Sequence, residues 1–302
     1  MGEGDTGART GYAIELLLLL CLATLWGASY SFIKVGVQTI PPVTLIAGRT
    51  LIAGVLLVLV MRAWGVAFPR DGAAWRRFLL QACLNSVFPF TLIAWAQRTV
   101  DASLATILNS TSPIFVFLLT LLITRHEAVT LRKAIGVIAG IAGIVSIVGV
   151  EALNGLARDV VAQLAIVAAT ICYAGAAIVG RNFQGLPAIV PAAGSMICGA
   201  AVLLPISLAV EQPWSLSPSL ESIFALVGLS VFSTALAFVL YFRLVHTLGS
   251  VGTTSQAYLR VPIGVLIAAL ALGETLTASA WLGMACVLVG VAAMTIPERK
   301  AG

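Results

Sequence analysis

The amino-acid sequence predicts an all-α integral membrane protein with ten transmembrane helices, arranged as two inverted five-helix repeats. Three observations predict this fold class: the composition, a succession of long apolar stretches, and landmarks that recur in the second half of the chain. Of the 302 residues, 60% are hydrophobic and 10% are charged, whereas soluble domains carry about 25% charged residues. The chain therefore has too few charged residues for a solvated surface, and bilayer hydrocarbon is the environment that fits.

The apolar stretches define the predicted elements in order. A transmembrane helix needs about 20 apolar residues, and clusters of charge, proline and glycine mark its ends. The predicted spans are 12–36, 43–61, 75–96, 102–124, 131–149, 160–180, 187–210, 220–243, 251–272 and 278–296. Polar tails are predicted at 1–11 and 297–302, and the first stretch lacks the small-residue cleavage site of a signal peptide. The connections are short, so no soluble domain is predicted.

The distribution of basic residues predicts the orientation. On one side of the predicted bundle the connections contain only Arg98 and Arg158 as basic residues. The other side carries Arg9, Arg62, Arg70, Arg76, Arg77, Arg125, Arg132, Lys133, Arg181, Arg243, Arg299 and Lys300. Because cytoplasmic loops are enriched in Lys and Arg, both tails are predicted to be cytoplasmic. The net charge of +5 is interpreted as reporting this orientation and not nucleic-acid binding.

The cysteines and histidines predict no metal site, no cofactor and no catalytic group. We interpret the cysteines as reduced packing residues, because each lies in an apolar run without metal-ligand spacing. They are Cys21, Cys83, Cys172, Cys198 and Cys286. His126 and His246 lie in separate loops without a partner suited to catalysis. The expected partners are therefore a small-molecule substrate and the lipid bilayer.

Landmarks of the first half recur in the second half at an offset of roughly 147 residues. The pairs include Trp26 and Tyr173, Gly48 and Gly194, Pro113 and Pro262, Glu127 and Glu274, Gly136 and Gly283, and Gly143 and Gly290. The predicted repeats are 12–149 and 160–296, and an odd number of spans in each inverts the second copy. Inverted repeats permit alternating access around a midplane site. The alternative is a duplicated scaffold that does not transport.

The first predicted span carries a polar and aromatic face. Trp26, Tyr30 and Lys34 recur at intervals of four residues, with Ser29 alongside, and this spacing places them on one side of a helix. Polar groups in hydrocarbon are costly unless they meet partners or a water-filled path. We expect this face to line a substrate path. For Lys34, a side chain that snorkels to the membrane interface is an equal alternative.

Two asparagines are further candidates. Asn85 precedes Pro89 in the third span, and Asn109 precedes Pro113 in the fourth. Each proline removes a backbone donor and loosens its helix, while each asparagine brings donors and an acceptor. The eighth span has a stripe of small and polar residues, for which helix packing is the competing explanation. The stripe contains Ser230, Ser233, Thr234, Ala237 and Tyr241.

Two arginines lie inside predicted spans with no acidic residue at comparable depth. Arg260 follows Gln256 at helical spacing, and Arg49 is in the second span, where its counterpart Ser195 has no charge. Insertion scales give about 2.5–3.5 kcal/mol for an arginine at the centre of a span. Each arginine either attracts a carboxylate of the cargo or bonds to protein carbonyls as a structural residue. Both alternatives stay open at this point.

These residues resemble the drug/metabolite transporter superfamily, specifically its EamA-type members. The resemblance covers nearly the whole chain and rests on Leu25 to Ser29, Ala47 to Arg49, Thr106 to Pro113, Glu127, Tyr258, Pro262 and Leu272 to Glu274. It implies ten helices around a central cavity lined by helices 1–4 and 6–9. Helices 5 and 10, which are rich in glycine, would be packing supports. Relatives export amino acids and other small metabolites.

The acidic residues give little support for proton coupling. Glu15 is the only acid clearly inside a span, and it lies near the predicted cytoplasmic end, well before Trp26. Facilitated diffusion or exchange is therefore at least as well supported. Glu127 and Glu274 follow the fourth and ninth spans, where helix capping and loop contacts explain them better than transport chemistry does.

Together these observations predict an exporter of small organic metabolites such as amino acids, in a bacterial inner membrane. Two complete repeats make a monomer sufficient, although an oligomer stays open. The predicted substrate-binding residues are Trp26, Ser29, Tyr30, Arg49, Asn85, Asn109, Tyr173, Gln256, Tyr258 and Arg260. The alternatives are a multidrug or organic-cation exporter, a membrane scaffold, and a membrane-embedded enzyme. Unpaired arginines disfavour cationic cargo, because like charges repel strongly at low dielectric.

Overall fold

The computed structural model describes residues 3–119, 121, 131–153, 157–183, 185–241, 243–244, 247 and 256–295. Within these ranges the chain forms helices joined by turns, and it contains no strand. The first-half helices are α1 (Glu3–Gly36), α2 (Pro42–Ala63), α3 (Gly72–Ala96), α4 (Ala102–Leu119) and α5 (Leu131–Leu153). The second-half helices are α6 (Ala157–Gly180), α7 (Ile189–Glu211), α8 (Leu220–Tyr241), α9 (Gln256–Leu272) and α10 (Ala278–Thr295).

Each helix overlaps one of the predicted apolar stretches, with limits that differ by a few residues. The largest difference is at α1, which begins at Glu3 inside the predicted polar tail, whereas its apolar span begins at Ile14. Seven helices, α1–α4 and α6–α8, are long and apolar enough to cross a membrane. Three shorter apolar helical stretches lie in α5, α9 and α10. The outer surface keeps large apolar side chains exposed, such as Phe224 and Leu270, as contact with lipid requires.

Local sequence signals explain where several helices begin and end. The α2 helix begins at Pro42, because a proline at the first helical position loses no hydrogen bond. Asp71 caps α3 by accepting a hydrogen bond from the Ala74 N–H at 2.7 Å, as expected of a short acidic side chain at this position. The α9 helix is followed by Gly273 at φ +68°, a left-handed conformation that glycine adopts without strain.

The α4 helix is interrupted where the sequence predicted a loosened helix. Its first part ends at Asn109 and its second part begins at Ser112. Pro113 has no N–H with which to bond the Asn109 carbonyl. The Ser112 hydroxyl donates to that carbonyl instead, at 2.8 Å. The predicted effect of Pro113 is therefore confirmed.

Three other helices contain π-helical turns that the sequence did not predict. They lie in α3 at Cys83–Val87, in α7 at Ser207–Glu211 and in α8 at Val231–Leu236. A π-helical turn inserts one extra residue into the hydrogen-bonding pattern and is frequent at functional sites. The turns in α3 and α8 occupy corresponding helices of the two halves, and the turn in α8 carries a residue of the candidate site.

Glycines bring α5 and α10 into close contact. A Cβ atom added at Gly143 would lie 2.9 Å from the Gly283 carbonyl oxygen. One added at Gly290 would lie 2.6 Å from the Gly136 carbonyl oxygen and 2.9 Å from the Gly140 nitrogen. Side chains at these positions would force the helices apart. The interpretation of these glycines as packing residues is confirmed.

The remaining extensive helix contacts join the two halves of the chain. The α1 helix packs along α9 and α8, α6 packs along α4 and α3, and α2 packs along α7. Exchanging each helix for its counterpart in the other half leaves this set of contacts unchanged. The α1 and α9 helices cross at Gly27, where an added Cβ atom would lie 3.0 Å from the Arg260 carbonyl oxygen and 3.1 Å from the Gly264 nitrogen. This crossing brings Arg260 next to the middle of the α1 span.

The bundle has two ends, which are defined here by their connections. We call distal the end that carries the connections 37–41, 97–101, 212–219 and 273–277. The opposite end, called proximal, carries the connections 64–71 and 181–188. The distal connections belong together because Lys34 contacts Val100, and Glu274 contacts Ala102. The midpoint between these ends is the depth at which the candidate site lies.

Candidate functional site

Arg49 of α2 is buried and is held by two neighbouring helices. Its Nε atom donates a hydrogen bond to the Thr234 hydroxyl of α8 at 2.9 Å. The Thr234 hydroxyl in turn donates to the Leu229 carbonyl, five residues earlier, at 2.8 Å. The Arg49 guanidinium also lies 3.7 Å above the ring centroid of Phe90 in α3, a favourable cation–π contact. The π-helical turn of α8 therefore positions the hydroxyl that orients Arg49.

Two tyrosines from opposite halves surround the Arg49 guanidinium. The ring of Tyr173, in α6, lies 6.4 Å from that of Phe90. Tyr30, in α1, is buried. Both phenols lie within electrostatic range of one another and of Arg49. Aromatic rings and hydroxyl groups thus lie near the guanidinium.

Arg260 of α9 lies within electrostatic range of the same two tyrosines. Its Nε atom is buried and has no hydrogen-bond partner among the residues that the structure describes. A buried donor without a partner carries a desolvation cost of about 1–3 kcal/mol. Arg49 and Arg260 therefore differ: the first is fixed by the protein, and the second has a donor that remains free.

Both arginines lie near the middle of the bundle. Arg49 is seven residues from the start of α2, or about 10 Å at 1.5 Å per residue. Gly27, which contacts the Arg260 backbone, is nine residues from the end of α1, or about 14 Å. The hydrocarbon core of a bilayer is about 30 Å thick, so these depths are close to the midplane.

Two amides add polar atoms without partners. The Asn109 side chain of α4 lies beside the Tyr30 hydroxyl, but its Oδ1 atom accepts no hydrogen bond. Gln256, one turn before Arg260, is buried and its Oε1 atom is also without a partner. The site therefore offers a free donor on the arginine side and free acceptors on the amides. A ligand with both an anionic group and N–H or O–H donors would satisfy all of them.

The arginines of the site form no ion pair with the residues that the structure describes. The ion pairs seen there join Lys34 to Asp101 and Arg243 to Glu15, at the two ends of the bundle. Neither of these acids approaches Arg49 or Arg260. The positive charge at mid-depth is thus left unbalanced by described side chains.

Other predicted site residues lie outside this cluster. The Trp26 ring packs 6.3 Å from Phe238 and 5.6 Å from Tyr241 of α8, one turn towards the proximal end. The Ser29 hydroxyl donates to the Trp26 carbonyl at 2.7 Å, so its own helix uses it. Asn85 lies half-exposed in the π-helical turn of α3. Tyr258 falls in α9, and its side chain lies outside what the structure describes.

The structure adds Phe90 and gives Thr234 a specific role. Thr234 was one of several small polar residues on a stripe of α8, and no sequence signal distinguished it from Ser230 or Ser233. Phe90 follows Pro89 in an apolar stretch, where an aromatic residue is expected for packing alone. Its position below Arg49 depends on how α2 meets α3, which the sequence does not encode locally.

At the distal end, side chains from one helix cap or bind another. Lys34 donates to the Val100 carbonyl at 2.8 Å and lies 3.5 Å from Asp101. Glu274 accepts hydrogen bonds from the Ala102 and Ser103 N–H groups, both at 2.8 Å. The capping role predicted for Glu274 is confirmed, on α4. Glu127 lies outside the described residues. For Lys34, the structure favours a position at the end of the bundle over a position in the substrate path.

A second carboxylate at the distal end caps α2, as Glu274 caps α4. Glu211, at the end of α7, accepts hydrogen bonds from the Val43 N–H at 3.1 Å and the Thr44 N–H at 2.6 Å. The Thr44 hydroxyl also donates to Glu211 at 2.7 Å.

At the proximal end Glu15 accepts from Arg243 at 3.0 Å and from Thr247 at 2.9 Å, far from the arginines at mid-depth.

Comparisons with known proteins identify the family to which this chain belongs. The family model described as "EamA-like transporter family" matches residues 13–149 and again residues 160–296. The chain belongs to the EamA-like transporter family. It is thus a multi-pass membrane protein, as its apolar helices require.

Individual relatives of this EamA-like chain agree with the assignment. The "Uncharacterized inner membrane transporter YedA" of Escherichia coli K12 is 25% identical over 92% of this chain and 89% of its own length. The "Probable terminal-alkyne amino-acid exporter" of Streptantibioticus cattleyicolor is 26% identical over 94% and 93%. A crystal structure of a protein 19% identical has a TM-score of 0.64 and covers 93% of this chain and 97% of its own. This last similarity shows a shared fold.

Proposed function

We propose that the chain exports small organic metabolites that carry a carboxylate, such as amino acids, by alternating access. One observation carries the proposal: Arg260 has a buried donor without a partner, near the midplane and close to two tyrosines from opposite halves. A carboxylate accepts hydrogen bonds from a guanidinium readily and with defined geometry. Cargo would therefore satisfy what the protein leaves unsatisfied.

Alternating access needs a fold with two related arrangements. We propose ten transmembrane helices in two inverted repeats, 12–149 and 160–296, around a central cavity. Support comes from the family model, which matches the chain twice. Further support comes from the helix contacts, which stay the same when each helix is exchanged for its counterpart in the other half. An odd number of spans in each half gives the halves opposite orientation, as in other transporters with inverted repeats.

We propose Arg260, Arg49, Tyr30, Tyr173, Asn109 and Gln256 as the substrate-binding residues. Arg49 would supply a second positive charge in a fixed orientation, because Thr234 and Phe90 hold its guanidinium in place. Trp26 would take part from one turn away, as an aromatic surface towards the proximal end. Ser29, Asn85 and Tyr258 stay candidates from the sequence.

The relatives support the location and the class of cargo. The Escherichia coli relative is described as an inner membrane transporter and the Streptantibioticus relative as an amino-acid exporter. We propose a bacterial inner membrane location with both tails in the cytoplasm, since Lys and Arg concentrate on the tail side. The distal end would then face outwards. A single chain contains both repeats, so a monomer would suffice.

Organic-cation export is the closest alternative within transport. A cation would have to approach two arginines that no described acid neutralises, and like charges repel strongly at low dielectric. In a non-transporting scaffold, no ligand would satisfy the buried donor of Arg260. Both alternatives predict that carboxylate-bearing solutes do not cross the bilayer.

Uptake of labelled amino acids into proteoliposomes tests the proposal. Wild type, Arg260→Ala and Arg260→Lys would be compared, each with and without a pH gradient. We expect wild-type flux, a fall of roughly tenfold in Arg260→Ala as one charge-assisted hydrogen bond is lost, and partial recovery in Arg260→Lys. Flux confined to organic cations, or unchanged in Arg260→Ala, would contradict the proposal.

A further inference from the structure

The guanidinium groups of Arg49 and Arg260 belong to one site. They come from opposite halves of the chain, yet both lie within electrostatic range of Tyr30 and of Tyr173. Phe90 joins one arginine to one tyrosine, because it lies under Arg49 at 3.7 Å and beside Tyr173 at 6.4 Å. The crossing of α1 and α9 at Gly27 places Arg260 one turn from Tyr30. A bound solute would meet both charges together.

The protein does not neutralise this pair of charges with any described side chain. Asp101 and Glu15 pair with basic residues at opposite ends of the bundle. Glu211 and Glu274 are occupied by backbone N–H groups at the distal end. In the sequence, Glu127 lies in a connection and not within a span. The site therefore has two positive charges and, among the side chains that the structure describes, no carboxylate.

The two guanidinium groups also have hydrogen-bond donors to spare. A guanidinium carries five N–H donors in a planar fork. Arg49 uses its Nε atom for Thr234, and its Nη atoms make no hydrogen bond with the described residues. The Nε atom of Arg260 has no partner. Each fork can bind one carboxylate by donating two parallel hydrogen bonds, so the donors suffice for two carboxylates.

We infer that the preferred cargo carries two carboxylates, and is a small dicarboxylate or an acidic amino acid. This inference rests on the proposed function and narrows its substrate class. A neutral amino acid brings one negative and one positive charge, so it leaves the charge of the site unchanged and places an ammonium near two arginines. A dicarboxylate cancels the charge, and an acidic amino acid, whose net charge is negative, reduces it by half. The difference is large at the low dielectric of a buried site.

A charge series on one carbon skeleton tests the inference. Succinate, succinamate and succinamide carry two, one and no negative charges and have nearly the same shape. Each would compete with labelled succinate for the purified full-length protein in detergent. We expect succinamate to bind more weakly than succinate by roughly tenfold or more and succinamide not to compete. In the same assay aspartate should compete better than asparagine.

Removing one arginine should change this preference in a specific way. In Arg260→Gln and in Arg49→Gln, succinate and succinamate should bind with roughly equal affinity, because one positive charge remains. Arg260→Lys should keep the preference for succinate. Arg243→Gln is the matched control, since that arginine pairs with Glu15 at the proximal end and its loss should leave the preference intact.

Several outcomes would overturn the inference. They are the absence of succinate binding, equal binding of succinate and succinamate to wild type, or a preference that survives in both glutamine variants. Succinamate binding that requires chloride would also overturn it, because an inorganic anion would then supply the second charge. Flux of neutral amino acids with any of these results would leave the proposed function standing. Succinate binding without flux of any solute would overturn transport and leave the dianion site.

Discussion

Buried charged groups have partners at the distal end of the bundle, whereas at mid-depth part of the charged site has none. At the distal end two long, partly buried charged side chains meet specific partners: Lys34 meets Val100 and Asp101, and Glu274 meets two backbone N–H groups. At mid-depth Arg260 keeps a buried donor without a partner, and the Asn109 carbonyl oxygen is also unused. The burial cost is larger at mid-depth, yet the partners are fewer there. The difference teaches that the distal charges stabilise the bundle, whereas those at mid-depth are available to a ligand.

The two carboxylates of the distal end show how that stabilisation works. The first N–H groups of a helix have no partner within it, and a negative charge at this end is favourable. Glu211 and Glu274, both from the second half of the chain, satisfy these groups in α2 and α4 of the first half. The hydrogen bonds therefore hold the two halves together at one end of the bundle. Opening that end would require these bonds to break.

The largest expected effect on stability is at Glu274. Replacing it with alanine leaves the Ala102 and Ser103 N–H groups without an acceptor, and caps of this kind contribute about 0.5–2 kcal/mol. Thermal unfolding of the purified protein should therefore begin several degrees lower than in wild type. Glu221→Ala is the comparison, because this exposed acid in the first turn of α8 caps no other helix and should lower the midpoint less. Equal unfolding midpoints for Glu274→Ala and wild type would remove the distinction between the two regions.

An intermediate effect, on binding and not on stability, is expected at Asn109. A neutral hydrogen bond contributes about 0.5–1.5 kcal/mol, so Asn109→Ala should weaken binding of a carried solute by roughly three- to tenfold. The measurement is the solute concentration at half-maximal uptake into proteoliposomes. Ser110→Ala on the same helix should leave that concentration unchanged, because the Ser110 hydroxyl already donates to the Ile107 carbonyl of its own helix. Equal losses in the two variants would show that Asn109 acts only through packing.

The smallest effect is expected at Lys34. Its ion pair with Asp101 is partly exposed, with side-chain exposures of 21% and 56%, and pairs of this kind contribute about 0–1 kcal/mol. Lys34→Met should lower the unfolding midpoint slightly, less so at high salt, and leave uptake unchanged. A strong loss of uptake in this variant would move Lys34 from the distal end into the substrate path.

Much of the fold could be predicted from the sequence because its signals are local or periodic. Apolar length located the helices, and the glycines at positions 136, 143, 283 and 290 indicated the close contact of α5 and α10. Pro113 predicted the break in α4. The π-helical turns were missed, because no residue type marks an extra residue in the hydrogen-bonding pattern.

The site was predicted less completely, since its contacts join distant parts of the chain. Helical faces predicted Tyr30, Asn109 and the two arginines as candidates, and the structure places the other three within interaction range of Tyr30. Their role in binding stays a prediction. The same argument grouped Trp26 with Tyr30, but the rotation of α1 against α8 directs Trp26 towards Phe238 and Tyr241. The acceptor of Arg49 is 185 residues away in the chain. Only the packing of α2 against α8 determines which hydroxyl it meets.

The most direct test of the difference between the two regions is thermal unfolding of wild type and Arg260→Ala, each with and without glutamate or succinate. A ligand that binds the folded state raises the unfolding midpoint, and removing an unpartnered buried donor relieves a cost. We therefore predict that Arg260→Ala unfolds at or above the wild-type temperature without solute, and that the solute raises only the wild-type midpoint. A variant that unfolds below wild type without solute, and that the solute still stabilises, would contradict the account and make Arg260 a structural residue.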